Sequence, residues 1–237
     1  MTYYELISND HHNNNCALFK CWDSEKNYYK KVSFSEKGNI IVENEKAGYD
    51  WFFSQIGKEN KTEIVRNYYF EIAIPEYKGN KLPYNYNFPH NTDIIRRIIK
   101  LYRSLWSNTD RFVVHGDFAL SNIIYNSNFI YVIDWEHSHF SDKKYYGFDI
   151  IHLIFLTIYE RINRISDSEI DFLISCYKSI IKEATASNQI VEKPFINAQR
   201  YLLEFSDKFR LNIPVENKFV LAKYPQSKLE KLDLLIT

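Results

Sequence analysis

The chain carries no net charge, with 30 Lys and Arg set against 30 Asp and Glu across 237 residues. A neutral chain has no general electrostatic pull toward nucleic acid or an anionic membrane, so neither is expected as a partner. Cysteine is scarce. Cys16, Cys21 and Cys176 are odd in number and scattered, a pattern that fits neither a zinc site nor a disulfide framework. Long apolar runs are missing too: the longest, Ile150 to Tyr159, contains His152 and is too short to span a bilayer. The start, Met1-Thr2-Tyr3-Tyr4-Glu5, has no basic segment followed by an apolar one. No secretory leader is therefore expected, and a reducing cytoplasm is the expected location. No internal repeat or low-complexity stretch stands out. What is present is an ordinary globular composition rich in Tyr (19) and Phe (17). It is long enough for one large domain or two lobes sharing a core.

The character of the chain changes along its length. Up to about Tyr77 it reads as mostly strand: Cys16 to Trp22, Asn27 to Phe34, then Glu63 to Phe70 and Glu71 to Ile74. One helix, from Ile40 to about Ile56, interrupts these strands. Beyond the turn at Gly79 helices dominate. Asp93 to Trp106 places Ile94, Ile95, Ile98, Ile99, Tyr102, Leu105 and Trp106 on one face. Asp149 to Ile162 reads as a more buried helix. Ser166 to about Ala184 opens with a capping box, Ser166-Asp167-Ser168-Glu169, and a last helix is expected over Ala198 to Lys208. A small β-rich part thus precedes a larger helical one, with Pro75-Glu76-Tyr77-Lys78-Gly79 as the expected hinge or its edge. This division predicts an α+β chain of two lobes, residues 1–78 and 79–237, with a ligand cleft between them.

The chemical information is concentrated in one stretch. His115-Gly116-Asp117-Phe118-Ala119-Leu120-Ser121-Asn122 is followed by the apolar run Phe129 to Ile133 and then by Asp134-Trp135-Glu136. Gly116 lets the backbone turn so that the Asp117 carboxylate projects from a loop. Such a carboxylate can accept a hydrogen bond from an attacking hydroxyl and take its proton late in phosphoryl transfer. Asn122 offers a neutral oxygen and Asp134 an anionic one, and Mg2+ prefers a few hard oxygens completed by phosphate and water.

The segment His115 to Glu136 resembles the signature of the aminoglycoside phosphotransferase and choline kinase family of protein-kinase-like enzymes. That family uses His-Gly-Asp-x-x-x-x-Asn in its loop and Ile-Asp-Trp/Phe-Glu at its metal site, and both versions occur here. The resemblance implies a bilobal protein-kinase-like fold, with a small β-rich N-lobe that binds nucleotide and a larger, mostly helical C-lobe. It implies Asp117 as catalytic base and Asn122 and Asp134 as Mg2+ ligands. It also implies ATP or GTP as phosphoryl donor and a small-molecule hydroxyl as acceptor, sugar-like, amino-alcohol or aminoglycoside. His115 would brace the loop, Asp149 would tie back to it and cap the following helix, and Glu136 would either contact metal-bound water or serve structure. The family also needs a strand lysine paired with a helix glutamate. Lys31 with Glu45 is the favoured pair, Lys30 and Glu43 the alternatives. The expected phosphate loop, Ser8 to Asn15, departs from the pattern by having no glycine.

Two competing readings bear on the same residues. A nucleotide-binding pseudokinase, acting as a binding module, fits the glycine-free loop but not the intact Asp117, Asn122 and Asp134. A hydrolase built on His115 and Asp117 is disfavoured, because residues of one short loop seldom converge as nucleophile and base.

Overall fold

The computed structural model describes residues 2–9, 15–24, 26–81, 92–106, 112–141, 147–160 and 165–186. The chain opens with β1 (Tyr3–Asn9), β2 (Cys16–Trp22) and β3 (Asn27–Ser33), followed by α1 (Glu36–Gln55), β4 (Glu63–Arg66) and β5 (Phe70–Pro75). These strands form one antiparallel sheet in the order β1-β2-β3-β5-β4, and α1 is its only helix among the described residues. β6 (Asn80–Lys81), β8 (Ile123–Tyr125) and β9 (Ile130–Val132) make a second ribbon, and β7 (Phe112–Val114) with β10 (His139–Ser141) makes a third. The helices that follow the linker are α2 (Thr92–Trp106), α3 (Phe148–Glu160) and α4 (Asp167–Ala186).

Local chemistry explains most boundaries. The helix expected from Ile40 begins one turn earlier, because Ser35 is an N-cap whose Oγ accepts from Gly38 N–H at 3.0 Å. Glu36 in the first turn adds a favourable charge at the positive end of the helix. The strand expected to reach Phe70 stops at Arg66. Residues 67–69 turn instead, and the turn is held by Asn39 Nδ2 donating to Tyr68 O at 3.2 Å. α4 carries the capping box: Ser166 N–H donates to Glu169 Oε2 at 2.6 Å, and Glu169 N–H donates back to Ser166 Oγ at 3.3 Å. β1 was not anticipated. Its Tyr3, Tyr4, Leu6 and Ile7 are all about half exposed, so no alternation of buried and exposed positions marks it as a strand. The helix expected over Ala198 to Lys208 lies outside the described residues.

One apolar core runs from Cys16 and Val42 through α2 to Ile180, with Trp135 wholly buried within it. Gly48 lets α1 approach Trp135 closely; a Cβ there would lie 2.5 Å from Trp135 Cβ. The linker is also packed. Tyr77 stacks on Tyr131 of β9 (centroids 4.7 Å apart) and lies against Phe53 (5.9 Å) and Tyr49 (6.3 Å) of α1. No helix of the described residues is long and apolar enough to cross a membrane.

Candidate active site

Neighbouring residues on a strand face opposite ways. On β3 this separates the two candidate lysines. Lys31 turns inward and is 6% exposed; its Nζ lies 2.5 Å from Glu45 Oε2, 3.1 Å from Asp134 Oδ1 and 2.9 Å from Glu136 Oε2. Lys30 turns the other way and pairs with Glu71 at 2.7 Å. Glu43 is engaged by Arg66, with Nε 2.5 Å from Oε1. The chain therefore brings Lys31 and Glu45 together and leaves Lys30 and Glu43 outside the group. Glu45 sits on the buried face of α1, and burial pushes its carboxyl up to about 7 against the opposing pull of Lys31. Burial also works against the charge on Lys31. The three carboxylates outweigh it and hold the ammonium well above its ordinary value.

Asp134 follows β9 with φ +64°, a conformation uncommon outside glycine that Asp tolerates better than most. Its N–H lies 3.4 Å from Tyr49 Oη on α1. The twist sends the two neighbouring side chains different ways. Trp135 enters the core, its Nε1–H donating to Val132 O at 2.9 Å, while the Asp134 side chain stays 40% exposed. Glu136 then returns to Lys31 and also meets His137 Nε2 at 3.2 Å. Burial would raise the Glu136 carboxyl, but Lys31 and His137 hold it well below the usual range. The same pairing overcomes burial at His137 and raises that imidazole.

The loop after β7 carries the other half. Gly116, at φ +87°, makes the turn between His115 and Asp117. His115 is fully buried. Its Nδ1 accepts Asp117 N–H at 3.2 Å, and its Nε2 lies 3.0 Å from Ile133 O. Burial pushes the ring down to about 4, so it is neutral near pH 7. A nitrogen that accepts carries no proton; the proton is on Nε2 and is donated to Ile133. Asp149 binds the backbone of the same loop: its Oδ2 accepts His115 N–H at 3.0 Å and its Oδ1 accepts Gly116 N–H at 3.1 Å. The tie to the loop is present, but Asp149 lies inside the first turn of α3 and does not occupy the cap position. Its burial pushes the carboxyl up to about 7.

Both oxygens of Asp117 are occupied. Asn122 Nδ2 donates to Oδ2 at 3.1 Å and to the Asp117 carbonyl at 2.9 Å, while His152 Nε2 lies 3.2 Å from Oδ1. Burial alone would raise this carboxyl. The bond from His152 and the nearby histidine charges lower it to about 2, so it is ionised near neutrality. Asn122 also fixes the two halves to each other, since its backbone carbonyl accepts Ile133 N–H at 3.0 Å beside Asp134. Its Oδ1 has no hydrogen bond among the described residues. Asp117 and Asn122 thus touch directly, and Lys31, Glu45 and Asp134 form a second contacting set one residue beyond the Asn122–Ile133 bond.

Several residues in this arrangement were missed from sequence. In the sequence His152 shows only as part of an apolar run, although its spacing three after Asp149 places both on one face of a helix. Tyr49 and His137 gave no separate signal. A hollow of about 470 Å³ lies elsewhere, lined by Lys26, Asn27, Glu59, Asn60 and Glu76 among others, and none of the site residues borders it.

No protein-family model and no curated protein sequence matches the chain. Solved structures do. A thermostable mutant of the aminoglycoside phosphotransferase APH(4)-Ia, in ternary complex with AMP-PNP and hygromycin B, is 10% identical at a TM-score of 0.52, over 98% of this chain and 92% of that one. An ethanolamine kinase of Plasmodium vivax is 14% identical at 0.46, over 79% and 70%. The PK-1 kinase of Cydia pomonella granulovirus is 14% identical at 0.45, over 74% and 79%. With its small antiparallel sheet carrying α1 and its larger helical part holding the His115–Asn122 loop, the chain has the bilobal α+β fold of the protein-kinase-like small-molecule kinases.

Proposed function

We propose that the chain is a phosphotransferase that moves the γ-phosphoryl group of ATP or GTP to a hydroxyl of a small molecule, with residues 1–78 as nucleotide lobe and 79–237 as catalytic and acceptor lobe. The observation that carries this reading is the joining of two sets. Lys31 bridges Glu45 to Asp134, and Asn122 holds Asp117 while its backbone is bonded to the residue before Asp134.

A divalent cation fits the donor set. Three carboxylates converge on one ammonium, which leaves a surplus of two negative charges when all are ionised. Asp134, half exposed, and the uncommitted Oδ1 of Asn122 are the oxygens that would hold Mg2+. When bound, Mg2+ shields phosphate oxygens and withdraws charge from the transferring group. Lys31 adds a fixed positive charge for the α- and β-phosphates, and Glu45 keeps it aimed. Asp117 accepts the hydrogen bond of the acceptor hydroxyl. As the acceptor oxygen bonds to the γ-phosphorus and the bond to the β,γ-bridging oxygen breaks, the hydroxyl proton passes to Asp117. The acceptor class we favour is a sugar-like or amino-alcohol hydroxyl, with aminoglycosides as the third candidate. Cys16, Cys21 and Cys176 are thiols joined in no disulfide, which suits a cytoplasmic setting.

The test is a product screen by mass spectrometry, using ATP or GTP with Mg2+ and a panel of sugars, choline, ethanolamine and aminoglycosides. A product heavier by one phosphoryl group is expected. Asp117→Asn should lose about 10²–10⁴-fold in turnover and still bind nucleotide. Asp134→Ala should lose metal-dependent nucleotide binding. Full turnover in Asp117→Asn would remove the proposed base. Nucleotide binding with no product from any acceptor would favour the pseudokinase instead.

A further inference from the structure

The acceptor-activating carboxylate has a partner that the loop motif does not contain. We infer that His152 is a positioning residue for Asp117, an inference that rests on the phosphotransferase reading above. His152 is 6% exposed, and its ring packs beside Phe148 with centroids 5.9 Å apart. Its Nε2 lies 3.2 Å from Asp117 Oδ1. An ionised carboxylate can only accept, so this nitrogen carries the proton and donates it.

The geometry explains why one clamp is not enough. A carboxylate held only at Oδ2, by Asn122, can still rotate about its Cβ–Cγ bond. A second donor on Oδ1, reaching in from a different element, fixes the plane. Each oxygen then keeps a lone pair for the acceptor hydroxyl, in one orientation only. Orientation of this kind contributes to rate when the reacting atoms are held in an attack geometry. α3 delivers the second clamp from the helical face that already grips the loop backbone. Asp149 takes the N–H groups of His115 and Gly116, and one turn on, His152 takes the side chain of Asp117. The sequence signature is therefore Asp149-x-x-His152, working at a distance of some thirty residues from the loop it serves.

Three variants separate the possibilities. His152→Phe keeps a ring beside Phe148 and removes the donor. His152→Gln keeps an N–H at nearly the same reach without an imidazole. His152→Ala removes both. We expect His152→Phe to lower kcat by roughly 10- to 100-fold with KM for nucleotide unchanged, and His152→Gln to recover most of the loss. Thermal unfolding of each variant reports folding separately. Wild-type kcat in a folded His152→Phe overturns the inference, as does a folded His152→Gln as impaired as His152→Phe. Nitrogen-15 NMR of the wild-type imidazole is independent of turnover: an unprotonated Nε2 near neutral pH also overturns the clamp. If the wild-type protein transfers phosphoryl to no acceptor while Nε2 is protonated, the contact stands. In that case the phosphotransferase reading, and the positioning role built on it, falls.

Discussion

Replacing Gly48 by alanine sets two effects against each other, and the structure says which wins. In a helix interior alanine is favoured over glycine by about 1 kcal/mol, so an exposed Gly→Ala change would stabilise α1. Gly48 is not exposed. A Cβ there would stand 2.5 Å from Trp135 Cβ and 2.8 Å from both Trp135 Cγ and Cε3. Carbon atoms at rest are about 3.5–4.0 Å apart, so helix or indole must retreat by about 1 Å. The indole cannot do so easily. It is wholly buried, with Trp51, Phe52, Trp106 and His115 around it at centroid distances of 5.8, 5.7, 6.4 and 4.5 Å. Overpacking of this kind costs about 1–3 kcal/mol. The net expectation is a loss of about 1 kcal/mol, with α1 displaced from Trp135. That displacement matters more than the stability. Glu45 lies one turn before Gly48 and Tyr49 directly after it, so the 2.5 Å contact to Lys31 and the 3.4 Å contact to Asp134 N–H both open. The assay is urea unfolding together with nucleotide affinity. Gly48→Ala should unfold at lower urea and bind nucleotide at least several-fold more weakly. A variant more stable than wild type with unchanged affinity would refute the reasoning.

Two further outcomes follow from the same geometry. Lys31→Met should abolish or severely weaken nucleotide binding measured by calorimetry, whereas Lys30→Met, which breaks only the pair with Glu71 on the other face, should leave affinity within about twofold. Stability should carry a histidine signature: His115 is held at about 4 when folded against an ordinary 6.5. The unfolded chain therefore takes up a proton that the folded chain refuses, and this contribution to stability is lost as pH falls from about 6.5 to about 4. His115→Phe lacks it, so the stability gap between wild type and variant should narrow by on the order of 3 kcal/mol across that window in urea titrations. A gap that stays constant from pH 7 to pH 4 would refute the assignment of a neutral buried ring.

The fold was legible where chemistry repeats along the chain. The apolar positions of α2, from Ile95 to Trp106, recur with helical spacing and are buried as that spacing requires. Ser166 and Glu169 announce the start of α4 by their side chains alone. The lysine pair on β3 could be narrowed but not resolved from sequence, because which face of a strand looks inward depends on what packs there. β1 was illegible because a strand with both faces half exposed has no pattern to read. His152 was hidden by its setting, a polar residue flanked by apolar ones from Ile150 to Leu156, whose partner is thirty-five positions earlier. Gly48 gave no signal at all, since only the three-dimensional proximity of Trp135 gives it a role.

The stack of Tyr77 on Tyr131, with Phe53 and Tyr49 alongside, splints the linker that joins the sheet to the helical part. Each such ring pair adds about 0.5–1.5 kcal/mol beyond the area it covers. A wide swing about that linker has to pull the rings apart, while a shearing slide can keep them in contact. Any widening of the space between the sheet and the helical part therefore works against the ring of Tyr77, a group outside the Lys31–Asp134 and Asp117–Asn122 contacts.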